Sequence, residues 1–144
     1  MNYYFDTSSL VKIYHREQGS ESVLEIYRSG EAIFISELGR IEFLSTIHRK
    51  YRESEIDTDT LDALMQRFED DIENRYEVLG FSSLIPDEAM NLIRHFARGT
   101  SLRALDSLQL AFFTTYCEQD DIFVCSDRRL AGIAGLEGIS VLIP

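Results

Sequence analysis

Short, unbroken apolar runs recur along the chain, separated by helix-patterned sequence. Ala32-Ile33-Phe34-Ile35 and Ile122-Phe123-Val124-Cys125 are the clearest of them. A strand that is apolar at every position has no side for water, so both of its faces must be covered. Helices between such strands supply the cover and return the chain to start the next strand in the same direction. The alternation predicts an α/β fold, a three-layer α/β/α sandwich with a central parallel sheet. In such sheets the functional crevice lies beyond the carboxyl ends of the strands.

Local signals place the elements. Strands are expected at 2–6, 32–35, 76–81, 122–125 and 139–143. Thr7, Ser8 or Ser9 can cap a helix running to about Glu17, and Ser36 can cap a long one running to about Arg52. Between them a helix runs from Gly19-Ser20 to about Ser29. Asp57 or Thr58 opens a fourth helix through Ile72, and Pro86 fits the first turn of a fifth that Gly99 ends. Two more are expected at 102–117 and 128–134. With 144 residues, no internal repeat and no low-complexity linker, the chain reads as a single domain over 1–144. It has no apolar run of about 18 residues, so no membrane span is expected. The start, Met1-Asn2-Tyr3-Tyr4-Phe5-Asp6, lacks a basic region and reads as no signal peptide. Cys117 and Cys125 have no metal-ligand spacing and read as buried, reduced thiols. A cytoplasmic protein is expected.

Composition bears on the partner. Asp plus Glu is 25 and Lys plus Arg is 14, a net charge of −11, which by itself disfavours a nucleic-acid binder. The charge is unevenly spread, because residues 53–77 hold ten acids and two bases. That segment reads as one solvated helix face.

Four other acids carry the chemistry. Asp6 and Asp127 each follow an apolar strand, where an Asp serves equally as a helix cap or as a site residue. Asp106 shares a helical face with Leu102, Leu105, Gln109 and Phe113, and a carboxylate there needs a partner: a cation, or an Arg such as Arg103. Glu42 falls at the edge of an apolar helix face, and by periodicity alone it reads as solvated. Gathered together, the four would repel one another. Mg²⁺ or Mn²⁺ relieves that repulsion, prefers carboxylate oxygens and leaves positions open for phosphate. Other chemistries are poorly served. His15, His48 and His95 are scattered and read as surface groups, no Ser-His-Asp or Cys-His arrangement is apparent, and no glycine-rich phosphate loop occurs. A phospho-acceptor receiver domain would need a late-strand Lys, and no Lys follows Lys50.

The acids fall within four blocks: Phe5-Asp6-Thr7-Ser8-Ser9-Leu10-Val11-Lys12, Ser36-Glu37-Leu38-Gly39-Arg40-Ile41-Glu42-Phe43-Leu44-Ser45, Leu102-Arg103-Ala104-Leu105-Asp106-Ser107-Leu108-Gln109-Leu110-Ala111 and Val124-Cys125-Ser126-Asp127-Arg128-Arg129-Leu130. In this order the chain resembles the PIN-domain nucleases, most closely the VapC-like toxins of bacterial type II toxin–antitoxin systems. The resemblance implies that Asp6, Glu42, Asp106 and Asp127 are metal-binding and catalytic acids, with Ser8 and Ser126 supporting them. It implies a Mg²⁺- or Mn²⁺-dependent endoribonuclease, an RNA substrate, a cognate antitoxin and a homodimer. Lys12, Arg40, Arg103, Arg128 and Arg129 adjoin the blocks and are candidates for holding phosphate. The dimer surface is expected on helices 20–29 and 37–51, through Val23, Leu24, Ile26, Tyr27, Phe43, Ile47 and Tyr51. The alternatives are a PIN-domain RNA-processing nuclease without an antitoxin, and a catalytically silent α/β module that binds a protein.

Overall fold

The computed structural model describes all 144 residues. Twelve elements alternate along the chain: β1 (Tyr3–Phe5), α1 (Thr7–Tyr14), α2 (Ser20–Ser29), β2 (Ile33–Ser36), α3 (Glu37–Arg52), α4 (Thr58–Asn74), β3 (Tyr76–Leu79), α5 (Leu84–Phe96), α6 (Ala104–Tyr116), β4 (Ile122–Val124), α7 (Arg128–Leu136) and β5 (Ser140–Leu142). The five strands form one parallel sheet in the order β3-β2-β1-β4-β5, with helices on both faces. The predicted fold class holds.

Side-chain alternation along each strand splits the core into two layers. Tyr4 and Phe123 point into one, with Leu110, Phe112 and Phe113 of α6 and Ile85 and Leu92 of α5. Phe5 and Val124 point into the other, with Leu10, Val23, Phe43, Ile47 and Phe68 of α1 to α4. In the second layer Phe43 stacks on Phe68 with ring centroids 3.8 Å apart, and Tyr14 meets both rings edge-on. The apolar residues expected at a dimer surface are spent here. Val23, Ile26, Phe43 and Ile47 are buried, Leu24 and Tyr27 pack against the same layer, and only Tyr51 stands exposed. On α3 the apolar groups that do face outward are Ile41, Leu44 and Tyr51.

Several boundaries differ from expectation for local reasons. α1 is capped by Asp6, one residue before Thr7, because the Asp6 carboxylate accepts from the Ser9 amide. It ends at Tyr14, three residues before Glu17, where His15 turns to extended backbone. His48 and His95 are exposed as predicted; His15 is half-buried, and its Nδ1 has no partner. β3 stops at Leu79, short of Phe81, whose ring lies half open against Phe112. Gly30 closes α2 with φ at 82°, a left-handed conformation that favours glycine. The acid run is not a uniformly solvated face. Asp71 is half-buried and accepts from the Tyr14 hydroxyl at 2.5 Å and the Tyr27 hydroxyl at 2.8 Å, tying α4 to α1 and α2.

The strand order reverses direction between β1 and β4, since β1 is followed outward by β2 on one side and β4 by β5 on the other. A crevice opens at such a switch point. Asp6 leaves the carboxyl end of β1, and Asp127 lies three residues past β4, so both acids stand at that crevice.

Candidate active site

A cleft of about 150 Å³ opens at the switch point and is lined by Asp6, Thr7, Ser8, Glu42, Leu105, Asp106, Gln109, Asp127 and Leu130. All four sequence-predicted acids therefore border one cavity. They come from four elements: the ends of β1 and β4, the second turn of α3 and the first turn of α6.

Asp6 is the deepest, with 4% of its surface exposed. One oxygen accepts from the Ser8 hydroxyl at 2.7 Å and the Ser9 amide at 3.1 Å; the other accepts from Ser8 at 2.8 Å and the Cys125 thiol at 3.2 Å. Burial penalises its charge and lifts its pKa to about 6, although these hydrogen bonds pull the other way. Burial, and then the negative charge of Asp6, push the Cys125 thiol far up, so it stays neutral and donates. Neither cysteine forms a disulfide; Cys125 is buried as predicted, and Cys117 is only half-buried.

Glu42 is held rather than solvated, which corrects the periodicity reading. Its Oε1 accepts from the Thr7 hydroxyl at 2.9 Å and the Gln109 amide at 2.7 Å. Gln109 is itself fixed, because its carbonyl accepts from the buried Tyr4 hydroxyl. Gln109 and Thr7 are supporting residues that the sequence reading did not single out. The available signal was an uncharged amide set between Leu108, Leu110 and Ala111, where only an apolar residue or a bonded polar one can stand.

Asp106 is not on a continuous apolar face. α6 begins at Ala104, so Leu102 lies outside the helix, and Leu105 is 54% exposed. Its partner is Arg129, not Arg103: the Arg129 guanidinium donates to Asp106 Oδ2 at 2.7 Å, to the Ser101 carbonyl at 2.8 Å and, more weakly, to Asp127 Oδ2 at 3.4 Å. Asp127 also caps α7 through the Arg129 and Leu130 amides while it borders the cleft. Ser126 and Ser8 knit the two strand ends together, with the Ser126 amide donating to Ser8 Oγ at 3.1 Å and the Ser126 hydroxyl 3.0 Å from that of Ser9.

The donor set is all hard oxygen, which suits Mg²⁺ or Mn²⁺. Glu42 Oε2 and Asp106 Oδ1 accept no hydrogen bond from the protein, which leaves them free to ligate. In this arrangement no three acids are drawn close enough to form a complete metal cage.

The whole chain has the fold of several solved structures. It superposes on FitAcB from Neisseria gonorrhoeae with a TM-score of 0.74 at 16% identity, covering 97% of this chain and 96% of that one. VapBC2 from Rickettsia felis, bound to a promoter DNA fragment, gives 0.69 at 14% identity, covering 99% and 98%. A toxin–antitoxin complex from Klebsiella pneumoniae gives 0.66 at 17% identity, again covering 99% and 98%. At such identities the likeness is one of fold. No curated protein matches the sequence. The PIN domain profile matches residues 3–136, nearly the full length. On that match and this architecture, the chain belongs to the PIN domain family.

Proposed function

We propose that this chain is a Mg²⁺- or Mn²⁺-dependent endoribonuclease, folded as one nuclease domain over residues 1–144, that acts as the toxin of a toxin–antitoxin pair in the cytoplasm. PIN domains are generally nucleases that use divalent metal ions, so membership supports hydrolase chemistry in coarse outline. The observation that carries the finer reading is the meeting of Asp6, Glu42, Asp106 and Asp127 around one cleft at the sheet's switch point. These four residues would hold the ion, which when bound activates a water and stabilises the leaving oxygen of a phosphodiester. The chain's own contribution is orientation. Thr7 and Gln109 aim Glu42 into the cleft, while Ser8, Ser9 and Cys125 hold Asp6. Arg129 holds Asp106 and Asp127 side by side.

The similarity in fold to the Klebsiella pneumoniae toxin–antitoxin complex favours a toxin over an RNA-processing nuclease. A cognate antitoxin would place an Arg or Lys among the four acids, and its binding would weaken as excess Mn²⁺ is added. The homodimer is retained with a different surface, the exposed Ile41, Leu44 and Tyr51 of α3, and light scattering that reads a monomer at tens of micromolar would remove it.

One observation favours the rival reading of a silent binding module: Arg129 already pairs with two of the four acids. Incubating the purified chain with RNA separates the two readings. The nuclease reading expects fragments with Mg²⁺ or Mn²⁺, none with chelator, and none from a folded Asp106→Asn variant. Intact RNA with every metal would leave the silent module.

A further inference from the structure

Next to the acidic cleft lies a larger one of about 460 Å³, within the usual size range of ligand sites. The two share Thr7, Ser8, Glu42 and Asp127, so they form one groove. Beyond the shared residues the larger cleft carries three cations, Lys12 of α1 and Arg49 and Lys50 of α3, with the single acid Glu17 among them. Lys50 is spoken for. It is buried at 8% exposure and paired with Glu55 at 3.2 Å and Glu17 at 4.0 Å. Lys12 and Arg49 are not. Lys12 donates only to the Gln18 carbonyl, and no carboxylate lies within ion-pair distance of either residue. Two cations without an ion-pair partner, beside a carboxylate cluster in a chain with 25 acids and 14 bases, offer the groove a place for a ligand of negative charge.

We propose that this basic half of the groove holds the phosphate adjacent to the one attacked, with Lys12 and Arg49 as its ligands and the hydroxyls of Thr46 and Ser126 along the same wall. The inference rests on the nuclease reading and adds to it the path of the RNA strand. The strand would cross from the acids, which would hold the ion and the attacked phosphate, to the cations, where the next phosphate is neutralised directly. Phosphate contacts of this kind fix register and carry no base preference. Lys12 and Arg49 are thus positioning residues for the substrate. Of the five cations expected from sequence to meet phosphate, only Lys12 lines this cleft. Arg40 pairs with Glu37, Arg129 with the site acids, and Arg103 and Arg128 stand exposed.

The test is binding of a fluorescently labelled single-stranded RNA in chelator, read by anisotropy across a salt series. Lys12→Gln/Arg49→Gln is expected to raise Kd by at least about tenfold, the loss of charge-assisted hydrogen bonds. It is expected to lower the slope of log affinity against log salt by about 0.7, the contribution of the one single-strand phosphate that the two cations neutralise. Lys12→Arg/Arg49→Lys should restore the slope, and Arg98→Gln, outside the groove, should leave it unchanged. If the double variant fails to fold, Arg49→Gln carries the test alone with a raised Kd and a fall of at most about 0.7, because that side chain is exposed and has no protein partner. An unchanged slope and Kd, or an equal loss in Arg98→Gln, overturns the proposal. Metal-dependent cleavage whose KM ignores both cations would likewise reject the phosphate site while keeping the nuclease. The predicted binding signature without cleavage under any metal would keep the site and reject the nuclease.

Discussion

Asp6 shows how much one buried carboxylate can decide. Unfolded, it titrates near 3.8; folded, near 6. Between those values the folded protein binds the extra proton, so stability falls as pH rises from about 4 to 6, by on the order of 2–3 kcal/mol. Denaturant melts in chelator should show that decline in the wild type, and Asp6→Asn should remove it; a wild type whose stability is flat over this range would contradict the account of Asp6. Arg129 acts in the opposite sense, as an internal counter-cation for Asp106 and Asp127. Arg129→Gln should leave two acids unneutralised, destabilise the metal-free protein by about 1–3 kcal/mol and tighten Mn²⁺ binding, read by calorimetry. Weaker Mn²⁺ binding in that variant would mean that Arg129 shapes the metal site rather than competing for it. Legibility at this scale follows distance along the chain. Asp6 and Asp127 could be found because strand ends mark them, whereas the Arg129–Asp106 pair spans 23 residues and nothing local announces it. Glu42 became a candidate only through the family resemblance, because its hold by Thr7 and Gln109 exists only after folding.

At the scale of elements, pattern was a good guide to type and order and a weaker one to function. Every helix and strand expected from the alternation is present, and the boundary shifts come from caps and short strands, as at Asp6 and Leu79. Burial was harder to foresee. The apolar side chains of α2 and α3 were expected to be surplus surface, but a sheet whose strands are three or four residues long offers little core of its own, and these helices complete it. The acidic helix α4 was expected to be purely solvated, yet one carboxylate among ten in its segment, Asp71, anchors it through Tyr14 and Tyr27. Asp71→Ala should therefore cost about 1–2 kcal/mol by taking the acceptor from the half-buried Tyr27 hydroxyl and one of two partners from Tyr14, which keeps Tyr76, while Asp70→Ala, one residue away and exposed, should stay within about 0.5 kcal/mol. Equal costs in urea melts would return α4 to a simple solvated face.

At the scale of the whole molecule, the net charge of −11 and the proposed RNA substrate are reconciled by separation. The heavily acidic α4 packs against α3 and β3, and none of its residues lines the groove that runs from the four acids to Lys12 and Arg49. No helix is long and apolar enough to cross a membrane. The central claim is that Asp6, Glu42, Asp106 and Asp127, which border one cleft but form no metal cage in this arrangement, together hold a divalent cation. Melting with and without Mn²⁺ tests it most directly. At a hundredfold excess over its dissociation constant, an ion bound only by the folded state stabilises by about 2.7 kcal/mol, or about 5–10 °C for a chain of this size. The account predicts that rise for the wild type and its loss in a folded Asp6→Asn/Asp106→Asn variant; the same rise in both proteins would place any metal elsewhere and contradict the site.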